Sequence, residues 1–422
     1  MNVLNKTVLF NSLWMMAEKI ISIFGMIFVT AFVAKYIGPE NFGKITFAAS
    51  IFAIVQTIAM FGLSDIIFQK ASKNRKIGEK IIYSTILIRN ILFFSVSPFV
   101  IIWIYFNTDW LTFIFSIASC ISAFFALHDV YGIYFNAILM SKINAICNTI
   151  GLLLAFAIRY LIPYFQLDML WLSVPIITVT MIPFLMRMYF YKKMKLSNLD
   201  SYKTKTKLIR NHMLGIGKKL FLYSLSVAIF TKTSQLFLGI SSQYDLGIYT
   251  VAMTLGFGFA FVVGALISSV MVQIYVEPDF ELSQKKVAQL NAITIVICMM
   301  ILFFLLIMGK WIILWLYGYE YLAVNDILWI MGLVCLFSNL STIAEKYMLK
   351  FNAYSYLQKK INLLLLFNIV ITFFMIRFYG LYGAASAILI TEIFTTTVFN
   401  YFFKNGIILD VHKRIFSTST YF

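Results

Sequence analysis

Long apolar runs alternate with short polar interruptions over the whole chain. Apolar runs of about 20 residues match the ~30 Å hydrocarbon core of a bilayer when they form helices. The sequence contains twelve such runs, at 9–34, 45–67, 80–105, 111–136, 143–165, 169–191, 218–240, 247–275, 287–309, 322–348, 357–378 and 381–403. We therefore predict twelve transmembrane helices, called spans one to twelve.

Composition agrees with this pattern. The chain is 61% hydrophobic and only 12% charged, whereas a soluble globular domain is about a quarter charged. The predicted fold class is an all-α polytopic membrane protein whose surroundings are the lipid bilayer. The formal net charge of +17 would indicate nucleic-acid binding in a soluble protein. Here the basic residues lie between apolar spans, so we assign them to membrane topology and predict no nucleic-acid partner.

The distribution of basic residues sets the orientation. With both termini in the cytoplasm, 25 of the 34 Lys and Arg residues fall in inner loops or at the ends, and 4 fall in outer loops. Inner loops of membrane proteins are enriched in Lys and Arg. We therefore predict cytoplasmic termini and a multi-pass topology.

A polar hexapeptide, Gly38-Pro39-Glu40-Asn41-Phe42-Gly43, separates spans one and two. Gly and Pro favour turns, so it predicts a tight turn between two helices. The segment from Asn41 to Ala48 recurs at Asp245 to Ala252, with Gly, Thr and Ala in register. A second match pairs Lys142-Ile143-Asn144-Ala145 with Lys350-Phe351-Asn352-Ala353. Both matches indicate an internal duplication.

Six spans precede the basic segment and six follow it. Because six is even, both halves enter the membrane from the same side, which indicates a parallel repeat. We predict a six-helix lobe at 1–195, a basic cytoplasmic connecting loop at 196–217, and a second six-helix lobe with a short cytoplasmic tail at 218–422. The lobes are expected to enclose a central cavity.

No enzyme motif occurs in the sequence. It lacks His-rich metal spacing, a phosphate-binding Gly-rich loop and a nucleophile elbow. The four cysteines are scattered singly through apolar spans. We therefore predict no catalytic residue, no metal and no cofactor, and we interpret His128-Asp129 as a polar pair at a helix interface.

Ionisable side chains inside spans are costly and usually face a cavity or a partner. We interpret four basic residues as candidate ligands of an anionic substrate: Lys19, Arg89, Lys232 and Arg159. Three acids are candidates for ion coupling or charge pairing: Glu18, Asp65 and Glu392. Arg187 and Glu345 lie near inner ends and are expected to snorkel. For Lys232 and Arg89, a watery cavity, a cross-helix partner and an anionic substrate all remain open. An ion pair with a neighbouring acid remains the alternative for Lys19, and snorkelling the alternative for Arg159. Gln56 and Gln235 are interpreted as contacts between helices.

Three motifs give the chain a resemblance to a known family. They are the hexapeptide Gly38 to Gly43, Leu316-Tyr317-Gly318-Tyr319-Glu320-Tyr321 before span ten, and Tyr379-Gly380-Leu381-Tyr382-Gly383-Ala384-Ala385 at span twelve. With the twelve-span layout, they resemble the Wzx-type O-antigen flippases of the multidrug/oligosaccharidyl-lipid/polysaccharide (MOP) exporter superfamily. The resemblance implies two six-helix lobes around a cationic cavity.

The resemblance also implies a function, which is transport without enzymatic chemistry. An undecaprenyl-pyrophosphate-linked oligosaccharide would move from the cytoplasmic to the periplasmic leaflet of a bacterial inner membrane by alternating access. It implies a polysaccharide polymerase and a chain-length regulator as partners in lipopolysaccharide biosynthesis. Two alternatives remain: a cation-coupled drug antiporter of the same superfamily, and a membrane enzyme of polysaccharide assembly.

Overall fold

A computed structural model describes residues 6–194 and 206–417, and the described residues are organised as long helices. Their bounds are α1 Lys6–Met60, α2 Leu63–Lys73, α3 Arg75–Asn107, α4 Trp110–His128, α5 Val130–Ala137, α6 Ser141–Tyr164, α7 Ser173–Met194, α8 Thr206–Ser241, α9 Gln243–Gly256, α10 Ala260–Val276, α11 Phe280–Leu316, α12 Val324–Leu349, α13 Tyr354–Thr396, α14 Val398–Tyr401 and α15 Ile407–Arg414. Short 3₁₀ turns at Met169–Leu172, Tyr319–Tyr321 and Lys404–Gly406 join some of them. The all-α membrane fold is confirmed.

The described residues contain nine helices long and apolar enough to span a membrane, or ten when α9 and α10, bent by 44°, count as one span. The predicted number of twelve is therefore not matched one helix to one span. Two long helices each carry two predicted spans. α1 is interrupted at Gly38 and α13 at Gly380, where the backbone leaves the helical region. An unbroken helix of such length would far exceed the bilayer thickness.

The predicted tight turn after span one is a break confined to one residue. Gly38 has φ 77° and ψ 168°, and the helix resumes at Pro39. Positive φ is accessible to glycine at little cost, and proline at the first helical position loses no hydrogen bond. The remaining residues of the hexapeptide, up to Gly43, therefore form the first turn of the next helical segment.

Residue contacts divide the chain into two compact units. The first unit comprises Met1–Ile37 and Lys44–Ile229, and the second comprises Gly38–Gly43 and Phe230–Phe422. The hexapeptide thus belongs to the second unit, and the division near Ile229 lies inside helix α8.

Residues 206–217, predicted to be loop, form the beginning of α8 instead. Met213 is buried in a core cluster of the first unit, with Ile209, Ile216 and Leu220 packed against it. These apolar positions recur at helical spacing. The many basic residues between them gave the segment the composition of a loop and concealed the apolar stripe.

The helix starts that precede the two copies of the repeat meet within the second unit. A Cβ atom on Gly43 would overlap the carbonyl oxygen of Gln243, and a Cβ atom on Gly247 would overlap that of Pro39. In the register of the repeat, Pro39 corresponds to Gln243 and Gly43 to Gly247. The contact is therefore reciprocal, because each glycine approaches the carbonyl oxygen of the residue that corresponds to the other's partner. Each copy requires a glycine because backbone packs directly on backbone.

Candidate functional site

Arg89 of α3 is almost completely buried, with 1% of its surface exposed. Its Nη1 donates to the carbonyl oxygen of Leu127 at 2.9 Å, and its Nη2 donates to that of Ile82 at 3.4 Å. Leu127 lies in the last turn of α4, where carbonyl groups lack partners in their own helix and attract cations. The structure thus gives Arg89 a cross-helix partner, which was one of the explanations left open. Its role as a ligand of an anionic substrate stays a prediction.

Arg187 does not snorkel to a membrane surface as expected. It is 6% exposed, and it donates to the carboxylate of Asp129 and to the side-chain oxygen of Asn148. Asp129 lies between α4 and α5. A buried charge is tolerated when it is paired and hydrogen-bonded. Position in the sequence gave no signal for this pair, because the partners are on different helices.

His128 and Asp129 do not bind each other. His128 Nε2 lies 2.7 Å from Asn90 Oδ1, while Asp129 pairs with Arg187. Both residues make polar contacts between helices, but they do not act as the pair that the sequence suggested: His128 contacts Asn90 of α3 and Asp129 contacts Arg187 of α7.

The break between α1 and α2 opens a cavity in the first unit. Phe61 and Gly62 both have positive φ, 52° and 67°, and α2 starts at Leu63. Helix α8 packs over this break. A Cβ on Gly62 would lie 2.9 Å from Leu220 Cβ, and the rings of Phe61 and Phe221 stack with centroids 4.8 Å apart.

We call this space the break cavity. Its volume is about 320 Å³, and its walls come from α1, α2 and α8. It is lined by Ala53, Gln56, Thr57, Met60, Gly62, Ser64, Asp65 and Ser224.

Most of the polar side chains that line the break cavity make no hydrogen bond or ion pair with the described part of the chain. Thr57 donates to the carbonyl of Ala53 within its own helix. Within residues 6–194 and 206–417, no hydrogen bond or ion pair engages the side chains of Gln56, Ser64, Asp65 and Ser224. They present amide, hydroxyl and carboxylate groups to one space, and convergent polar groups in a cavity are typical of a ligand site.

The sequence singled out two of these residues, Asp65 and Gln56, but not as neighbours. Ser64 and Ser224 were missed because isolated serines in apolar spans usually mediate helix packing. The one local signal in the sequence is Gly62, which falls inside predicted span two, 45–67.

Lys232 lies on α8 within the second unit and is partly buried. Its Nζ donates to Gln235 Oε1 at 2.9 Å, one turn further along the helix. Among the described residues, no carboxylate lies within ion-pair distance of it. The side chains of Lys19 and Glu18, in the corresponding first helix, lie outside the described residues.

Glu392 of α13 is buried, with 8% of its surface exposed. It lies beside Ser338 and within electrostatic range of Lys360 and Glu345. Lys360 binds Glu345 at 2.8 Å, so Glu345 is an ion-pair partner and not simply a snorkelling residue. These groups form a separate cluster inside the second unit.

Arg159 of α6 lies in the first unit, partly buried, with its guanidinium carbon 6.0 Å from the ring centroid of Phe156. The candidate residues therefore occupy different surroundings. Arg89 is held by carbonyl groups, Asp65 borders the break cavity and Arg159 lies over an aromatic ring.

Comparison with known proteins identifies the family. A family model described as a polysaccharide biosynthesis protein matches residues 32–326. A comparison of the sequence with curated proteins gives no match.

Solved structures show the same fold. A lipid II flippase, MurJ, in an inward closed conformation aligns with a TM-score of 0.70 at 16% identity, covering 96% of this chain and 90% of that one. An inward-facing multidrug resistance MATE transporter of the MOP superfamily aligns with a TM-score of 0.65 at 12% identity, covering 94% and 96%. The fold is thus that of the MOP transporters and flippases, and the chain belongs to the polysaccharide biosynthesis protein family.

Proposed function

We propose that this protein is a flippase for an undecaprenyl-pyrophosphate-linked oligosaccharide, such as an O-antigen repeat unit. It would carry this lipid from the cytoplasmic to the periplasmic leaflet of a bacterial inner membrane by alternating access. The observation that carries the proposal is the family match over residues 32–326. Similarity in fold to a lipid II flippase supports it.

Lys232 is the residue best suited to hold the pyrophosphate. A partly buried ammonium group without a carboxylate partner is costly inside a membrane, and an anionic substrate would offset that cost. Lysine binds phosphate as a compact point charge. Lys19 and Arg159 complete the proposed set of phosphate ligands. Arg89 is also retained in it, although its carbonyl partners favour a role in positioning helices α3 and α4.

An inside-negative potential would assist outward movement of the lipid. The pyrophosphate carries about two negative charges, and each is worth about 2.3 kcal/mol per 100 mV. The potential would therefore contribute roughly 4–5 kcal/mol per 100 mV in the absence of a compensating ion.

Reconstitution in liposomes tests the proposal. Purified protein is incorporated with a fluorescent polyprenyl-pyrophosphate oligosaccharide, and leaflet exchange is followed with and without an imposed potential. We expect Lys232→Gln to slow exchange at least about tenfold, because a charge-assisted hydrogen bond to phosphate is lost. Lys359→Gln is the matched control, since Lys359 is exposed on α13. Normal exchange by well-folded Lys232→Gln protein would contradict the role of Lys232.

A cation-coupled antiporter is the second candidate, favoured by the similarity in fold to a MATE transporter. In that case Glu392, Asp65 or Glu18 would bind the coupling ion. Gradient-driven transport of a small fluorescent cation by the same liposomes, without exchange of the lipid, would favour the antiporter.

A further inference from the structure

We propose that the break cavity binds the sugar portion of the lipid-linked substrate and selects neutral or amino sugars over uronic acids. This inference rests on the proposed flippase function and adds a sugar site and a sugar class to it. Four observations carry it: the cavity's size, its unengaged polar groups, its charge and its place at a helix break.

The size suits a short saccharide. Small-molecule sites commonly have volumes of about 300–1,000 Å³, and the break cavity, at about 320 Å³, lies at the lower end of this range. The whole lipid-linked substrate would not fit, so the cavity would hold only part of it.

The polar groups suit sugar hydroxyls. Each hydroxyl of a sugar both donates and accepts, and the cavity offers matching partners in the amide of Gln56, the hydroxyls of Ser64 and Ser224, and the carboxylate of Asp65. A carboxylate accepts several hydrogen bonds and is acceptor only, so it binds hydroxyl and ammonium donors. Since none of these four side chains is engaged within the described part of the chain, binding would not break a contact of the protein.

The charge of the lining decides which sugar is preferred. Among the described residues that line the cavity, Asp65 is the charged one and none is a lysine or arginine. A uronic acid or a pyrophosphate would meet a negative charge of the same sign, which is unfavourable at short distance. The hydroxyl groups of a neutral sugar would donate hydrogen bonds to the Asp65 carboxylate, and the ammonium of an amino sugar would add an ion pair.

The helix break explains why a site is possible here. Phe61 and Gly62 interrupt the helix, so α1 ends and α2 begins beside the cavity, and Gln56, Ser64 and Asp65 reach it from both sides of the interruption. Ser224 comes from α8, which packs across the break. A change in the packing of α8 would therefore alter the lining.

Three fluorescent probes test this inference in liposomes: a polyprenyl pyrophosphate bearing a neutral disaccharide, one whose terminal ring is a uronic acid, and the unglycosylated lipid. For the unmodified protein we expect exchange of the neutral probe to exceed that of the uronic probe about tenfold, because one charge-assisted contact is replaced by a repulsion.

Substitutions in the cavity test whether its residues cause the preference for the neutral probe over the uronic probe. Asp65→Asn should reduce the preference for the neutral probe, and Asp65→Lys should reverse it in favour of the uronic probe. Ser224→Ala should slow the neutral probe about fivefold through one lost hydrogen bond. Asp410→Asn and Ser95→Ala are the matched controls, because Asp410 is exposed on α15 and Ser95 is exposed on α3.

The outcomes separate the inference from the proposed function. Exchange of none of the probes would overturn the flippase function itself. Equal exchange of all three, unchanged in Asp65→Asn and Asp65→Lys, would overturn the sugar site while leaving the flippase intact. Loss of exchange of every probe in Asp65→Asn, together with loss of sodium or proton dependence, would assign the cavity to a cation instead.

A binding measurement supports the assay. The free neutral disaccharide should raise the Tm of detergent-solubilised protein, because a ligand that binds only the folded state stabilises it. The Asp65→Lys variant should lose this shift, and an unchanged shift in that variant would contradict the site.

Discussion

Two breaks interrupt the first helical stretch of the chain, and they are built in opposite ways. At Gly38 the chain turns out of the helix for one residue, and the following turn packs backbone to backbone through Gly43. At Phe61-Gly62 the chain turns for two residues, and the surrounding helices leave a cavity of about 320 Å³ with unengaged polar side chains.

This difference distinguishes a packing contact, at Gly43, from a candidate ligand site, at Gly62. Around Gly43 the space is filled by the carbonyl oxygen of Gln243, so nothing else can bind there. Membrane helices associate closely where small residues let backbones approach, and two such contacts hold the helix starts at Pro39 and Gln243 against each other within the second unit. Around Gly62 the helices also touch, but polar groups face a space that a ligand can occupy.

The largest effect on stability is expected at the break at Gly38, which we call the closed break because backbone fills the space beside Gly43. Gly43→Ala and Gly247→Ala should each destabilise the protein by about 3 kcal/mol, because an added methyl group overlaps a backbone carbonyl and the helices must separate. The measurement is the midpoint of thermal unfolding in detergent, read by loss of the monodisperse peak in size-exclusion chromatography.

Two glycines of the same chain serve as controls for these variants. Among the described residues, no atom outside the glycine's own helical backbone lies within 4 Å of a Cβ placed on Gly215 or Gly264. Gly215→Ala and Gly264→Ala should be neutral or slightly stabilising, since alanine is the better helix former. Equal midpoints for all four variants would show that the reciprocal contact contributes nothing to stability.

A smaller effect on stability is expected at Phe61-Gly62, which we call the open break because it borders the break cavity. Gly62→Ala should cost about 2 kcal/mol, from the positive φ of this position and from contact with Leu220. Gly406 has φ +86° with a neighbour no closer than 3.8 Å, so Gly406→Ala reports the cost of backbone conformation alone. A cost for Gly62→Ala that exceeds that of Gly406→Ala measures how tightly α8 packs over the break. Equal costs would indicate loose packing.

The break at Gly38 could be predicted from the sequence, whereas the break at Phe61-Gly62 and its cavity could not. The repeated Gly, Thr and Ala positions after Asn41 and Asp245 are a local pattern, and the helix starts at Pro39 and Gln243 follow the same register. The break cavity instead gathers Gln56, Asp65 and Ser224 from three helices. A single polar residue in an apolar run does not indicate which residues of other helices it will contact.

The buried charges show the same limit. Arg89 and Arg187 were recognised from the sequence as charges near or inside spans, but their partners, Leu127 and Asp129, are distant along the chain. The cost of burying a charge predicts that a partner exists, and only the packing of helices identifies it. For α8, basic residues hid the apolar stripe around Met213, so a helix was mistaken for a loop.

The smallest effect is expected beside the closed break, at the ion pair that follows it within the first unit. Lys44 Nζ lies 3.0 Å from the carboxylate of Asp109, which precedes α4. Partial burial alone would raise the pKa of Asp109, but hydrogen bonds from Thr112 and Lys44 outweigh it and hold the pKa below its usual value. Because the folded state favours the ionised carboxylate, this contribution is present above the unfolded pKa of about 3.9 and disappears as the pH falls through the lowered pKa.

Asp109→Asn should therefore lower the stability by only about 0.5 kcal/mol at pH 7, since the carboxylate is partly exposed and screened by solvent. The difference in unfolding midpoint between the variant and the unmodified protein should shrink as the pH is lowered toward 3. Lys286, which pairs with Glu277 between α10 and α11, provides a second, partly buried ion pair for comparison through Glu277→Gln. A cost of Asp109→Asn as large as that of Gly43→Ala would contradict this ranking and show that the ion pair contributes as much as the backbone contact.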